Sequence, residues 1–165
     1  MTRTLILMRH AKSSWNSPDL DDHARPLNGR GQRSAFALGD WLRKEGLLPD
    51  EVLCSSSVRT RETLAGLALS APASYLDSLY HADPDAMLEV LSGAKGATVL
   101  MIGHNPGIAG FAARILSGVP GHPRFADYPT GATLVARFDI EDWSAVAWRS
   151  GEPTGFIVPR ELPGV

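Results

Sequence analysis

A chain of 165 residues, 44% of them hydrophobic and 21% charged, holds enough apolar material for a substantial core. Sixteen Lys and Arg against 18 Asp and Glu give a formal net charge of -2, with no basic stretch, which argues against nucleic acid as a partner. No apolar run approaches the roughly 20 residues of a membrane-spanning helix, nothing has the form of a secretory leader, and the lone Cys54 cannot close an internal disulfide. A single domain over residues 1–165, located in the cytoplasm and away from membranes, is expected.

Leu5-Ile6-Leu7-Met8 is a continuous apolar run and predicts a buried strand ending on Arg9-His10. A polar loop with Pro18, Asp19, Asp21, Asp22 and Pro26 follows, its aspartates expected to be solvated. Asn28 is placed to cap a helix running to about Glu45, with Ala35, Leu38 and Leu42 on one face and Gly46 as its stop. Glu51 to Cys54 predicts a short strand with a buried thiol at its end, and Ser55-Ser56-Ser57 opens the next helix. Asp83 caps a helix carrying Met87, Leu88 and Leu91. Thr98 to Ile102 is another wholly apolar strand, which Gly103-His104-Asn105-Pro106-Gly107 turns into a helix with Phe111 and Ile115. Beyond a loop rich in Pro and Gly, Ala132 to Phe138 and Ala145 to Arg149 predict two more strands, and the tail from Gly151 shows no period.

This alternation predicts an α/β fold, a three-layer sandwich with a mainly parallel central sheet flanked by helices. In such sheets ligands bind beyond the carboxyl ends of the strands. Three polar clusters fall at such ends: Arg9-His10, Ser55 to Arg61, and His104-Asn105. Arginine offers a planar fork of donors that matches phosphate oxygens. Histidine offers a nitrogen that can attack phosphorus and carry the phosphoryl group. The charge on a phosphoryl group in transit needs fixed positive partners, and Arg9, Arg59 and His104 stand where such partners are needed. No Cys/His cluster has zinc spacing, so no metal or other cofactor is expected. Arg61, His23, His81 and His122 fit no motif and are expected to be exposed or structural, and core packing is the expected place of the four tryptophans.

Arg9-His10-Ala11-Lys12-Ser13-Ser14-Trp15-Asn16 resembles the Arg-His-Gly-x-Ser-x-x-Asn signature of the histidine phosphatase, or phosphoglycerate mutase-like, superfamily. Ser55 to Thr63 is similar to its Ser-x-x-x-Arg-x-x-x-Thr segment, and Gly103-His104-Asn105 to the segment with its second histidine. The three stand in the family's order. The short length, Arg25-Pro26-Leu27 before Gly31, and Pro129-Thr130-Gly131-Ala132 resemble the SixA-type phosphohistidine phosphatases within it.

The resemblance implies a phosphoglycerate mutase-like fold and a set of roles. His10 would be a nucleophile that forms a phosphohistidine intermediate, its other ring nitrogen held by a backbone carbonyl. Arg9 and Arg59 would clamp phosphoryl oxygens, with His104 as a further donor. Ser13, Asn16 and Asn105 would bind phosphate or order its loops. Two features depart from the family's pattern. Ala11 replaces a glycine, which demands an ordinary backbone conformation there. The stretch Asp77 to Asp83 lacks the glutamate that protonates an alkoxide leaving group. That gap favours a phosphohistidine on a protein as substrate, since imidazole leaves with less help. The alternatives are a phosphatase of small phosphomonoesters or pyrophosphate compounds, a mutase, and an inactive phosphate-binding module.

Overall fold

The structure, a computed structural model, describes residues 1–165. Its strands are β1 (Arg3–Arg9), β2 (Glu51–Ser55), β3 (Ala73–Leu76), β4 (Thr98–Gly103), β5 (Thr133–Phe138) and β6 (Glu152–Ile157). Its helices are α1 (Gly29–Lys44), α2 (Val58–Leu67), α3 (Pro84–Ser92) and α4 (Gly107–Ile115). The strands form one sheet in the order β3-β2-β4-β1-β5-β6. β3, β2, β4 and β1 are parallel, while β5 and β6 are antiparallel to their neighbours.

The unbroken apolar run of β1 follows from its place inside the sheet, with both faces covered. Leu5 and Leu7 pack on one side with Met87 and Leu91 of α3 and Ile108 and Phe111 of α4. Ile6 and Met8 pack on the other with Leu38 and Leu42 of α1 and Leu64 and Leu67 of α2. The expected three-layer sandwich results. Asn28 caps α1 by accepting from the Gly31 N–H (2.8 Å), and Asp83 caps α3 by accepting from Ala86 (2.8 Å). Gly46, just past the end of α1, has φ +68 and needs its glycine. Gly31 matters for another reason. A Cβ there would lie 2.0 Å from the Lys12 carbonyl oxygen, so the first turn of α1 presses on the loop that follows His10.

Two expectations at the sheet edges fail. Ala145 to Arg149 is not a strand. Trp143–Ala145 is a 3-10 turn, and Val146 and Trp148 turn inward to pack on the larger core, which explains the apolar character that suggested a strand. The last strand lies instead in the tail, at Glu152–Ile157, where Pro153 and Gly155 hide the signal; an edge strand tolerates both. The opposite edge, β3, is mostly exposed and carries no apolar pattern. Of the tryptophans, Trp143 is buried, Trp41 and Trp148 are half-buried, and Trp15 is 72% exposed, so core packing does not hold for it.

Tyr128 ties the sheet together next to Arg9. It is fully buried; its hydroxyl donates to the Leu7 carbonyl (2.5 Å) and accepts from the Leu134 N–H (3.2 Å). Tyr128→Phe strips both groups of this partner and is expected to cost about 1–3 kcal/mol of stability. A lower denaturant midpoint at unchanged slope is the predicted reading; an unchanged midpoint would contradict the role given to the hydroxyl.

Candidate active site

The parallel strands bring three distant clusters to one edge. Arg9 ends β1 and is paired with Gly103 at the end of β4, so His10 and His104 leave adjacent strands side by side. Their rings lie 5.4 Å apart, centroid to centroid. β2 flanks β4 and ends on Ser55, whose hydroxyl meets His104 Nε2 at 2.7 Å. Ser57 caps α2 and so delivers Arg59 from its first turn. The last residue of that segment, Thr63, holds the first loop: its hydroxyl accepts from the Ala11 N–H (3.0 Å) and donates to the Arg59 carbonyl (2.7 Å). Ala11 is absent from the positions with positive φ, as its methyl requires.

Six of the seven residues singled out from the sequence line one cavity of about 370 Å³: Arg9, His10, Ser13, Arg59, His104 and Asn105. Asn16 does not join them. It is exposed, and its backbone N–H turns back onto the Ser14 hydroxyl (3.1 Å). Ser13 accepts from Arg25. Asn105 bonds the Asp127 and Tyr128 carbonyls through its amide (2.9 and 3.2 Å) and accepts from Ala109 in α4 (3.2 Å). Arg9 donates to the Tyr128 carbonyl at 3.1 Å.

His10 is 5% exposed, and its Nδ1 meets the Ala11 carbonyl at 2.7 Å. A carbonyl only accepts, so Nδ1 carries the proton and Nε2 keeps its lone pair. Burial pushes the His10 pKa down to about 3, the nearby Arg9, Arg59 and Arg25 adding to the shift against the Ala11 hydrogen bond. His104 is likewise driven down to about 2, by burial first and then by His10, Arg59 and His81. Arg59 faces its Nδ1 at 3.4 Å and can only donate, which puts the His104 proton on Nε2, toward Ser55. Both rings are therefore neutral at pH 7. No group of three His, Cys, Asp or Glu side chains is disposed to hold a metal ion.

Several residues to which the sequence gives no role also line the cavity. Asp22, expected to be solvated, reaches across the mouth: its carboxylate accepts from Arg59 (3.0 Å), Tyr80 (2.6 Å) and Arg25 (3.2 Å) and faces His81 Nε2 at 3.2 Å. Burial opposes its ionisation, but the hydrogen bonds from Tyr80, Arg59 and Arg25 prevail and hold this carboxyl below its ordinary range. His81, expected to be exposed or structural, is exposed yet lines the cavity, as do Trp15, Arg25 and Lys12. The Arg25 guanidinium stacks 3.9 Å over the Trp15 ring. Gly107 of α4 presses on the backbone next to His81: a Cβ there would sit 1.8 Å from the Ala82 carbonyl oxygen. Lys12 and Trp15 fall at variable positions of the first signature and Arg25 opens the Arg25-Pro26-Leu27 segment, while Asp22 and His81 sit in no motif. The loop's three aspartates are the only hint of Asp22, and sequence does not say which of them turns inward.

The burial of two neutral histidines sets a pH dependence. Unfolded, each would take up a proton near its ordinary value of 6.5; folded, His10 does so near 3 and His104 near 2. Between those limits the unfolded chain binds more protons than the native one. Stability therefore falls as pH drops below 6.5, by up to about 1.4 kcal/mol per pH unit for each ring. Asp22, with its lowered pKa, loses its own contribution at the acid end of the same descent. Denaturant midpoints are expected to be lower at pH 5 than at pH 7, and equal midpoints would contradict the neutral, buried state of these rings.

The family model of the histidine phosphatase superfamily (branch 1) matches residues 5–82, which span the first two clusters. An uncharacterised protein of Mycobacterium tuberculosis is 38% identical over 162 residues, covering 93% of this chain and 100% of the relative. A protein assigned as the phosphohistidine phosphatase SixA of Nakamurella multipartitia is 31% identical, with a TM-score of 0.86 over 96% of this chain and 97% of that one. The chain belongs to the histidine phosphatase superfamily. Within it, the structural likeness is to SixA-type proteins, including one from Agrobacterium tumefaciens at 25% identity and a TM-score of 0.75 over 95% of this chain and 99% of that one. This histidine phosphatase is accordingly an enzyme that acts on a phosphorylated substrate.

Proposed function

We propose that this enzyme removes the phosphoryl group from phosphohistidine on a protein, as a single domain over residues 1–165, in the cytoplasm and without a metal or other cofactor. The observation that carries the covalent step is the fixing of His10 by the Ala11 carbonyl at 2.7 Å, with Nε2 left as a neutral nucleophile. In the first step Nε2 bonds to phosphorus, and the bond from phosphorus to the substrate's imidazole breaks. The electron pair goes to that ring, whose other, protonated nitrogen lets it leave as neutral imidazole. His10 is now a phosphoimidazolium, its charge eased by the Ala11 carbonyl. In the second step water attacks phosphorus, the pair of the breaking bond returns to Nε2, and the water's proton leaves with inorganic phosphate.

Arg9 and Arg59 hold the phosphoryl oxygens. Their buried Nε atoms have no hydrogen-bond partner, so both retain donor capacity. His104, with Nδ1 facing Arg59 at 3.4 Å and Nε2 on Ser55 at 2.7 Å, steadies the Arg59 clamp beside the transferring group. Ser13 and Asn105 order the walls. Asn16 is assigned the loop only.

The leaving group decides the substrate class. The one carboxyl group lining this cavity is Asp22, and its lowered pKa keeps it ionised and unable to donate. An alkoxide would depart unprotonated, at a large cost; imidazole would not. The flat rings of Trp15 and His81 at the mouth suit an aromatic leaving group. A phosphohistidine protein is expected to be turned over at least about a hundredfold more efficiently than sugar monophosphates. Faster turnover of the sugar phosphates would overturn this choice of substrate while leaving the nucleophile untouched.

A further inference from the structure

A second cavity, of about 390 Å³, adjoins the first and shares Arg9, Lys12 and Thr130 with it. Five cations line it, Arg9, Lys12, Arg30, Arg124 and Arg160, against one carboxylate, Asp127. That carboxylate is already engaged: Arg124 binds it through Nε (3.1 Å) and Nη2 (2.9 Å). Lys12, Arg30 and Arg160 form no salt bridge with any residue of the chain. They come from three separate places: the loop after β1, the first turn of α1, and the 3-10 turn Pro159–Glu161. Acidic side chains outnumber basic ones in this sequence, so convergence of unpaired cations on one cavity is not the interspersed pattern of an ordinary solvated surface.

We propose that this cavity is a second anion subsite, which binds an acidic group of the substrate next to the phosphoryl group. Arg9 lines both cavities and couples them. The shared chemistry is a carboxylate or phosphate oxygen received by guanidinium donors and the Lys12 ammonium. For a phosphohistidine protein, the group is an Asp or Glu flanking the modified histidine; for a small molecule, it is a second phosphate. The subsite rests on the proposed function only for the first of these two sources.

The test is the double variant Arg30→Gln/Arg160→Gln, both positions being exposed. Its kcat and KM are measured against the unaltered enzyme on four substrates: a phosphohistidine peptide flanked by glutamates, the same peptide flanked by glutamines, a hexose bisphosphate and the matching monophosphate. A thermal melt checks that the variant is folded. KM for the glutamate peptide is expected to rise about tenfold, with kcat little changed, while KM for the glutamine peptide stays within about twofold. The difference is expected to shrink at high salt. If only the bisphosphate responds and neither peptide is hydrolysed, the subsite stands and the phosphohistidine reading falls. Equal responses of the charged and neutral member of each pair would overturn the subsite.

Discussion

His10→Ala is expected to lower kcat by at least about a thousandfold and to abolish any covalent phosphoenzyme. The variant loses the only nitrogen that is neutral, oriented by a backbone carbonyl and set among Arg9, Arg25 and Arg59. No neighbour replaces it. His104 is also neutral, but its Nε2 is bonded to Ser55 and its Nδ1 faces Arg59. The fold is expected to survive, because the His10 ring bonds only the adjacent residue and the backbone N–H of His10 still pairs with Gly103 at 3.1 Å. Removing a buried neutral histidine also takes away one source of acid sensitivity, so the stability of the variant falls less steeply between pH 6.5 and 3. Full activity in this variant would contradict the nucleophile assignment.

Arg59→Ala is expected to cost about a thousandfold or more in kcat/KM, with both KM and kcat affected. The guanidinium is 3% exposed and joins three parts of the site: the Asp22 carbonyl (2.7 Å), the Asp22 carboxylate (3.0 Å) and His104 (3.4 Å). Its loss leaves the transferring phosphoryl group with Arg9 alone as a clamp and removes the main ion pair of Asp22. Arg59→Lys is expected to recover little, since one ammonium cannot reproduce a planar fork reaching several acceptors. His10 keeps its carbonyl partner in these variants, so a slow single turnover should still label it. Near-normal kcat/KM in Arg59→Ala would place the phosphoryl group away from this guanidinium.

Arg9-His10 and His104 are legible in the sequence because each ends an apolar run that must be a buried parallel strand, and such strands gather their carboxyl ends at one edge. Arg59 is legible because Ser57 caps the helix that carries it. The sequence does not say that β4 lies between β1 and β2, which is what puts the two histidines side by side. Asp22 and His81 lie in loops without periodicity, and the partners that fix them in the site are distant: Asp22 bonds Arg59 and Tyr80, 37 and 58 residues on, and faces His81, 59 residues on. No local pattern records such bonds. The edge strands fail for a related reason. β3 has little burial to impose an alternation, and β6 carries a proline and a glycine that a central strand would not accept.

Asp22 also changes the meaning of the missing glutamate. The cavity does contain a carboxylate at its mouth, but one held ionised by Tyr80, Arg59 and Arg25 against the effect of its burial. It orders the cations of the site and faces any arriving phosphate with like charge. Proton donation to an alkoxide is the one task it cannot perform near neutral pH, and that restriction underlies the preference for an imidazole leaving group.

The central claim is covalent transfer to His10 Nε2, and one measurement tests it most directly. The enzyme is mixed with a radiolabelled phosphohistidine protein, quenched with alkali within the first turnover, digested and mapped by mass spectrometry. The predicted result is an acid-labile, alkali-stable phosphate on the peptide carrying His10, absent from His10→Ala. Label on Ser13, Ser55 or His104 instead, or full turnover with no label on the enzyme, would contradict the account.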